Sequence, residues 1–146
     1  MSNDSSTKMQ PTTPRKPLLP RLDAAQIVAL SGRTVEASYR AGEPIFNEGD
    51  SGEVAYIILS GAVRIWTHDA EARQVTLTLL GPNDFFGELA VLDGGPRSAS
   101  ATAEEDTLLG GLKKEQLEHF LLTHPQAALH MIKQLGERLR QTNKLI

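Results

Sequence analysis

Between positions 34 and 112 turn-forming residues cut the chain about every ten positions, and this rhythm narrows the folds open to it. The signals are Ala41-Gly42, Gly49-Asp50-Ser51-Gly52, Ser60-Gly61, Asp69-Ala70-Glu71, Gly81-Pro82-Asn83-Asp84, Asp93-Gly94-Gly95-Pro96 and Glu104-Glu105-Asp106. Strand patterns lie between them. Residues 54–59 form a nearly continuous apolar run, Val75, Leu77 and Leu79 alternate with Thr76 and Thr78, and Ala99, Ala101 and Ala103 alternate with Ser98, Ser100 and Thr102. Regular turn spacing with such runs predicts a sandwich, barrel or jelly roll. One stretch breaks the pattern. Residues 86–92 are helix formers, and they span under two turns.

Helices flank the β region. Asp23 with Gln26 forms a capping box, Leu22 with Ile27 a hydrophobic staple, and Ser31-Gly32 closes this first helix. Residues 113–122 set Leu117, Phe120 and Leu121 at helical spacing. Thr123 or His124 can cap a further helix whose first turn holds Pro125. On that helix Ala128, Ile132, Leu135, Leu139, Thr142 and Ile146 recur at alternating steps of four and three, the seam of a coiled-coil-like pair. Packing of the same stripe on the β domain is the alternative. Gly136, costly inside a helix, would allow close approach of a second helix. The helix stops on Lys144-Leu145-Ile146 with no capping residue, and is expected to continue in a longer protein.

Composition excludes several classes. With 146 residues the chain is expected to be one domain, preceded by an arm, residues 1–20, that holds four of the eight prolines. Such an arm cannot bury enough surface to order itself. Within residues 1–21, Lys8, Arg15, Lys16 and Arg21 stand against Asp4 alone, a balance of +3, so with a net charge of -3 overall the remainder carries -6. That charge and a 5% aromatic share argue against nucleic-acid binding by this chain alone. The absence of cysteine removes disulfides, thiolate metal sites and thiol nucleophiles. His68, His119, His124 and His130 lack metal-ligand spacing, and only His68 falls in the β region, which disfavours a metal-dependent β-barrel enzyme. No signal-peptide or membrane-span pattern is present, so the expected location is the cytoplasm.

The informative stretch is Phe85-Phe86-Gly87-Glu88-Leu89-Ala90-Val91-Leu92-Asp93-Gly94-Gly95-Pro96-Arg97-Ser98-Ala99. A glycine lets backbone approach a ligand, and a short helix starting there offers unpaired N–H groups to an anion. A Gly-Gly-Pro loop then delivers Arg97, whose planar fork suits phosphate, with the Ser98 hydroxyl beside it. The Glu88 carboxylate can accept hydrogen bonds from sugar hydroxyls. These parts suit a small phosphorylated sugar. The competing reading is that Glu88 and Arg97 pair only with each other while the glycines serve turns.

The stretch resembles the phosphate-binding cassette of cyclic-nucleotide-binding domains, as in the cAMP receptor protein (CRP/FNR) family, cAMP-dependent protein kinase regulatory subunits and cyclic-nucleotide-gated channels. Gly42-Glu43, Glu48-Gly49-Asp50 and Tyr56-Ile57-Ile58-Leu59-Ser60-Gly61 fit the same pattern, and the resemblance covers about residues 22–146. It implies a mainly β fold with flanking helices, a β-roll or jelly roll over residues 21–124, and a long dimerisation helix over residues 125–146. It further implies that Gly87 and Glu88 bind the ribose, with Leu89 and Ala99 alongside, and that Arg97 and Ser98 bind the cyclic phosphate. On the long helix it implies that Arg138 faces Glu88 and that Thr142 and Asn143 contact the base, Asn143 standing where the family has Ser. Ser98 after the arginine favours cAMP over cGMP.

The expected function is therefore a ligand sensor, not an enzyme: a homodimeric cyclic-nucleotide module of a transcription regulator that reaches DNA only through a domain absent from this chain. A non-sensing interaction domain of the same fold, or the regulatory domain of a non-transcriptional protein, is the alternative.

Overall fold

A computed structural model describes the backbone of residues 34–143 and the side chains of residues 34–141. The expected arm and the helix opened by Asp23 and Gln26 lie outside the described residues, as do Ile146 and the chain end. The described elements run β1 (Val35–Tyr39), β2 (Pro44–Phe46), β3 (Val54–Ser60), β4 (Val63–His68), β5 (Gln74–Leu80), β6 (Phe85–Phe86), α1 (Glu88–Asp93), β7 (Ser100–Ala103), β8 (Thr107–Lys113), α2 (Lys114–Thr123) and α3 (Pro125–Asn143).

Strand boundaries follow the turn signals closely, because glycine and aspartate act on the backbone locally. The strands form two four-stranded sheets, β1-β8-β3-β6 and β2-β7-β4-β5, with antiparallel pairing throughout. In strand β3 both faces are buried, which explains its unbroken apolar run. Ala55 and Ile57 face a core shared with Val91 of α1, Leu117 and Phe120 of α2, and Ala127 and Met131 of α3. Ile58 faces the other way, into a core between the sheets with Val63, Leu80, Phe86, Ala101 and Leu109. The adjacent Phe85 and Phe86 divide in the same manner, Phe85 joining the helix-side core and Phe86 the inter-sheet core. This two-residue strand therefore bonds the sheets to the helices just before the cassette begins.

Of the two residues expected to cap α3, the structure takes His124 and not Thr123. Thr123 does not cap α3; its hydroxyl donates back to the carbonyls of His119 and Phe120. The start of α3 is instead tied by the Ala127 N–H donating to the His124 carbonyl at 2.9 Å. The residues of α3 that bury are Ala127 and Met131, with Leu135 half-buried against the same core. Ile132 and Leu139 of the expected seam remain exposed, at 63% and 64%. The helix thus presents one apolar face to the body and a neighbouring one to solvent. Among the described residues no helix is long and apolar enough to cross a membrane.

Candidate functional site

The site forms where β6 turns into α1. Gly87 adopts φ +77°, a left-handed conformation that side-chain-bearing residues resist, and so turns the chain directly from strand to helix. A Cβ there would lie 2.7 Å from Nη1 of Arg97 and 3.2 Å from the Phe46 ring. Helix α1 ends after one and a half turns on Gly94, also left-handed, whose N–H donates to the Ala90 carbonyl. The Gly95 N–H then donates to the Asp93 carboxylate at 2.7 Å, and the chain returns toward Arg97.

Backbone groups from three segments hold Arg97. Its N–H donates to the Asp50 carbonyl and its carbonyl accepts from the Gly49 N–H, so the loop before β3 clamps it in place. Nη1 donates to the Gly87 carbonyl at 2.7 Å and Nη2 to the Val54 carbonyl at 2.6 Å. The guanidinium carbon lies 4.0 Å from the centroid of the Phe46 ring. Gly52 completes the enclosure: a Cβ on it would stand 2.9 Å from the guanidinium carbon and from Nε. The side chain is only 5% exposed, and Nε is buried with no hydrogen-bond partner. Burial draws the guanidinium below its usual pKa, while Tyr56, Glu88 and Asp50 act to keep the charge.

Glu88 opens α1 and is likewise 5% exposed, with Oε2 buried and without a hydrogen-bond partner among the described residues. Burial raises its pKa; its own backbone N–H, then Arg138 and Arg97, act in the opposite direction. Arg97 directs its bonds to the Gly87 and Val54 carbonyls, and a mere ion pair with Glu88 therefore does not account for the arrangement. Two buried polar atoms, one acceptor and one donor, are thus left without a hydrogen-bond partner among the described residues. Buried groups of this kind are usually satisfied, so they point to something from outside the chain.

Glu88 and Arg97 both border a cavity of about 100 Å³. Gly87, Glu88, Leu89, Arg97, Ser98, Ala99 and Arg138 all line it, so the structure brings together seven of the nine residues singled out by sequence. Thr142 and Asn143 stand in the last turn of α3, and their side chains lie outside the described residues. The rest of the wall was not anticipated. Ile65, Leu77, Thr78 and Leu80 of β4 and β5 form an apolar side, and Phe46, Phe85, Phe86 and Ala90 complete the lining. Period-two alternation placed Leu77 on a strand face but could not say that the face borders a cavity. Gly52 was visible only as part of a turn. Among the described residues no group of three or more His, Asp or Glu side chains could hold a metal ion.

The acceptor, the buried guanidinium and the apolar wall fit a ligand with sugar hydroxyls, an anionic phosphate and a flat base. Comparison with known proteins bears on the same class. The family model for the cyclic nucleotide-binding domain matches residues 36–124. The chain is 41% identical over 105 residues to the cyclic AMP receptor protein of Thermus thermophilus, covering 72% of this chain and 49% of that one. It is 33% identical over 122 residues to a CRP-like cAMP-activated global transcriptional regulator of Mycobacterium tuberculosis, covering 84% of this chain and 54% of the relative. The crystal structure of the Thermus thermophilus catabolite activator protein superposes with a TM-score of 0.72 at 36% identity, over 88% of this chain and 60% of that one. The chain thus spans about half the length of the curated relatives it matches.

Proposed function

The chain belongs to the cyclic nucleotide-binding domain family, and on that premise we propose that it is the cAMP-sensing module of a transcription regulator. The observation that carries the reading is that Glu88 and Arg97, each with a buried atom lacking a hydrogen-bond partner among the described residues, line one cavity. In this reading Arg97 and Ser98 hold the cyclic phosphate, and Glu88 accepts from the ribose with Gly87 giving close backbone approach. Leu89 and Ala99 line the sugar side, and Arg138 braces Glu88 from α3. Thr142 and Asn143 meet the base. An interaction domain that never bound a ligand would leave Oε2 of Glu88 and Nε of Arg97 buried with no hydrogen bond to compensate.

Signalling follows from where Arg138 sits. It lines the cavity from α3 while the cassette lines it from α1 and the loop that follows. A ligand that contacts both can favour one placement of α3 only by binding that placement better. Coupling of about 1–3 kcal/mol is typical of such devices. In this reading the exposed apolar face of α3 serves a homodimer and DNA is reached through a domain absent from this chain; a relative named as a global transcriptional regulator supports the regulatory role.

Calorimetric titration with cAMP and with cGMP tests the reading. Binding of cAMP in the micromolar range or tighter is expected. Silence with both nucleotides overturns it, and tighter binding of cGMP reassigns the base.

A further inference from the structure

We propose that Phe46 is a positioning residue for Arg97, its ring forming the platform that fixes the plane in which the guanidinium meets an anion. The inference rests on the proposed function, because the anion is taken to be the cyclic phosphate.

Two hydrogen bonds, from Nη1 to Gly87 and from Nη2 to Val54, hold the guanidinium at two points. A planar group held at two points can still rock about the line joining them. The Phe46 ring, 4.0 Å from the guanidinium carbon, supplies a third support. Attraction between a cation and an aromatic face operates at this range and strengthens where water is excluded. Arginine gains from such stacking more than lysine does, because its charge is spread over a plane. The ring is itself braced, 5.9 Å from Phe86 and 6.3 Å from Tyr56 between centroids. It comes from β2, whereas both hydrogen-bond acceptors come from other segments, so orientation is shared by three parts of the chain.

The test uses Phe46→Leu and Phe46→Tyr. In the ligand-free protein the Arg97 Nε–H resonance, assigned by its loss in Arg97→Lys, is expected to be ring-current shifted in wild type and Phe46→Tyr but not in Phe46→Leu. Calorimetry should show cAMP affinity about threefold to tenfold weaker in Phe46→Leu and restored in Phe46→Tyr. Wild-type affinity in Phe46→Leu, or an equal loss in both variants, overturns the platform and leaves the proposed function standing. If wild type binds neither cAMP nor cGMP, the proposed function falls, and absence of the ring-current shift then overturns the platform independently.

Discussion

Arg97 donates through Nη1 to the carbonyl of Gly87 at 2.7 Å, so the residue that closes the cassette grips the one that opens it. The loop and helix between them are thereby drawn into a ring. The Arg97 guanidinium and the turn that places Glu88 are one mechanical unit.

That unit makes Arg97→Ala costly in two ways. Ligand affinity should fall by about 2–5 kcal/mol, because a buried phosphate loses its charge partner. Stability without ligand should fall by about 1–3 kcal/mol, since the Gly87 and Val54 carbonyls lose their donor. Calorimetry and thermal denaturation read the two separately; near-normal affinity would contradict the assigned role.

Gly87→Ala should destabilise by about 1–3 kcal/mol, the range for a side-chain-bearing residue forced into a left-handed conformation. It should also weaken nucleotide binding, because the added Cβ strikes Nη1 of Arg97. Gly94→Ala is the control. Its φ is similar at +73°, but a Cβ there meets nothing within 4 Å, so it should lose stability and keep its affinity.

How far the site was legible in sequence depended on how local each determinant is. Gly87, Glu88, Arg97 and Ser98 sit within one short motif, and its turn chemistry acts on neighbouring residues. Phe46 and Gly52 reach Arg97 only through the fold, as does Val54, which accepts from Arg97 across 43 positions. No local signal marks such partners. The strands were legible because glycine and proline end them, and the seam on α3 marked an apolar stripe without saying what covers it. Leu135 of that stripe packs on the body beside Ala127 and Met131 while Ile132 and Leu139 stay exposed, since a stripe of period 3.5 does not say which edge of it meets the body.

Glu88 gives a pH prediction with a definite sign. Burial raises its carboxyl pKa in the folded state from an ordinary 4.5, against the opposing pull of its backbone N–H, Arg138 and Arg97. A group raised on folding contributes stability that is fully present below its unfolded pKa and is lost as pH rises through the folded one. Relative to Glu88→Gln, the ligand-free wild type should therefore lose melting temperature as pH climbs from 4.5 upward. A difference independent of pH across the acid and neutral range would contradict the assignment.

The exposed face of α3 predicts self-association. The chain should sediment as a dimer, and Ile132→Glu with Leu139→Glu should convert it to a monomer without unfolding it, because both side chains are solvent-exposed in the single chain. A wild-type monomer at high concentration would leave the stripe to contacts within the domain alone.

The central claim is that a buried guanidinium and a buried carboxylate divide one ligand between them. A crystal structure of the chain with cAMP tests it most directly. The account predicts density for the nucleotide in the cavity, its phosphate within about 3 Å of Arg97 and its ribose hydroxyl at the same range from Oε2 of Glu88. Density showing the nucleotide bound elsewhere, with Arg97 turned to solvent and the cavity filled by the protein's own side chains, would contradict it.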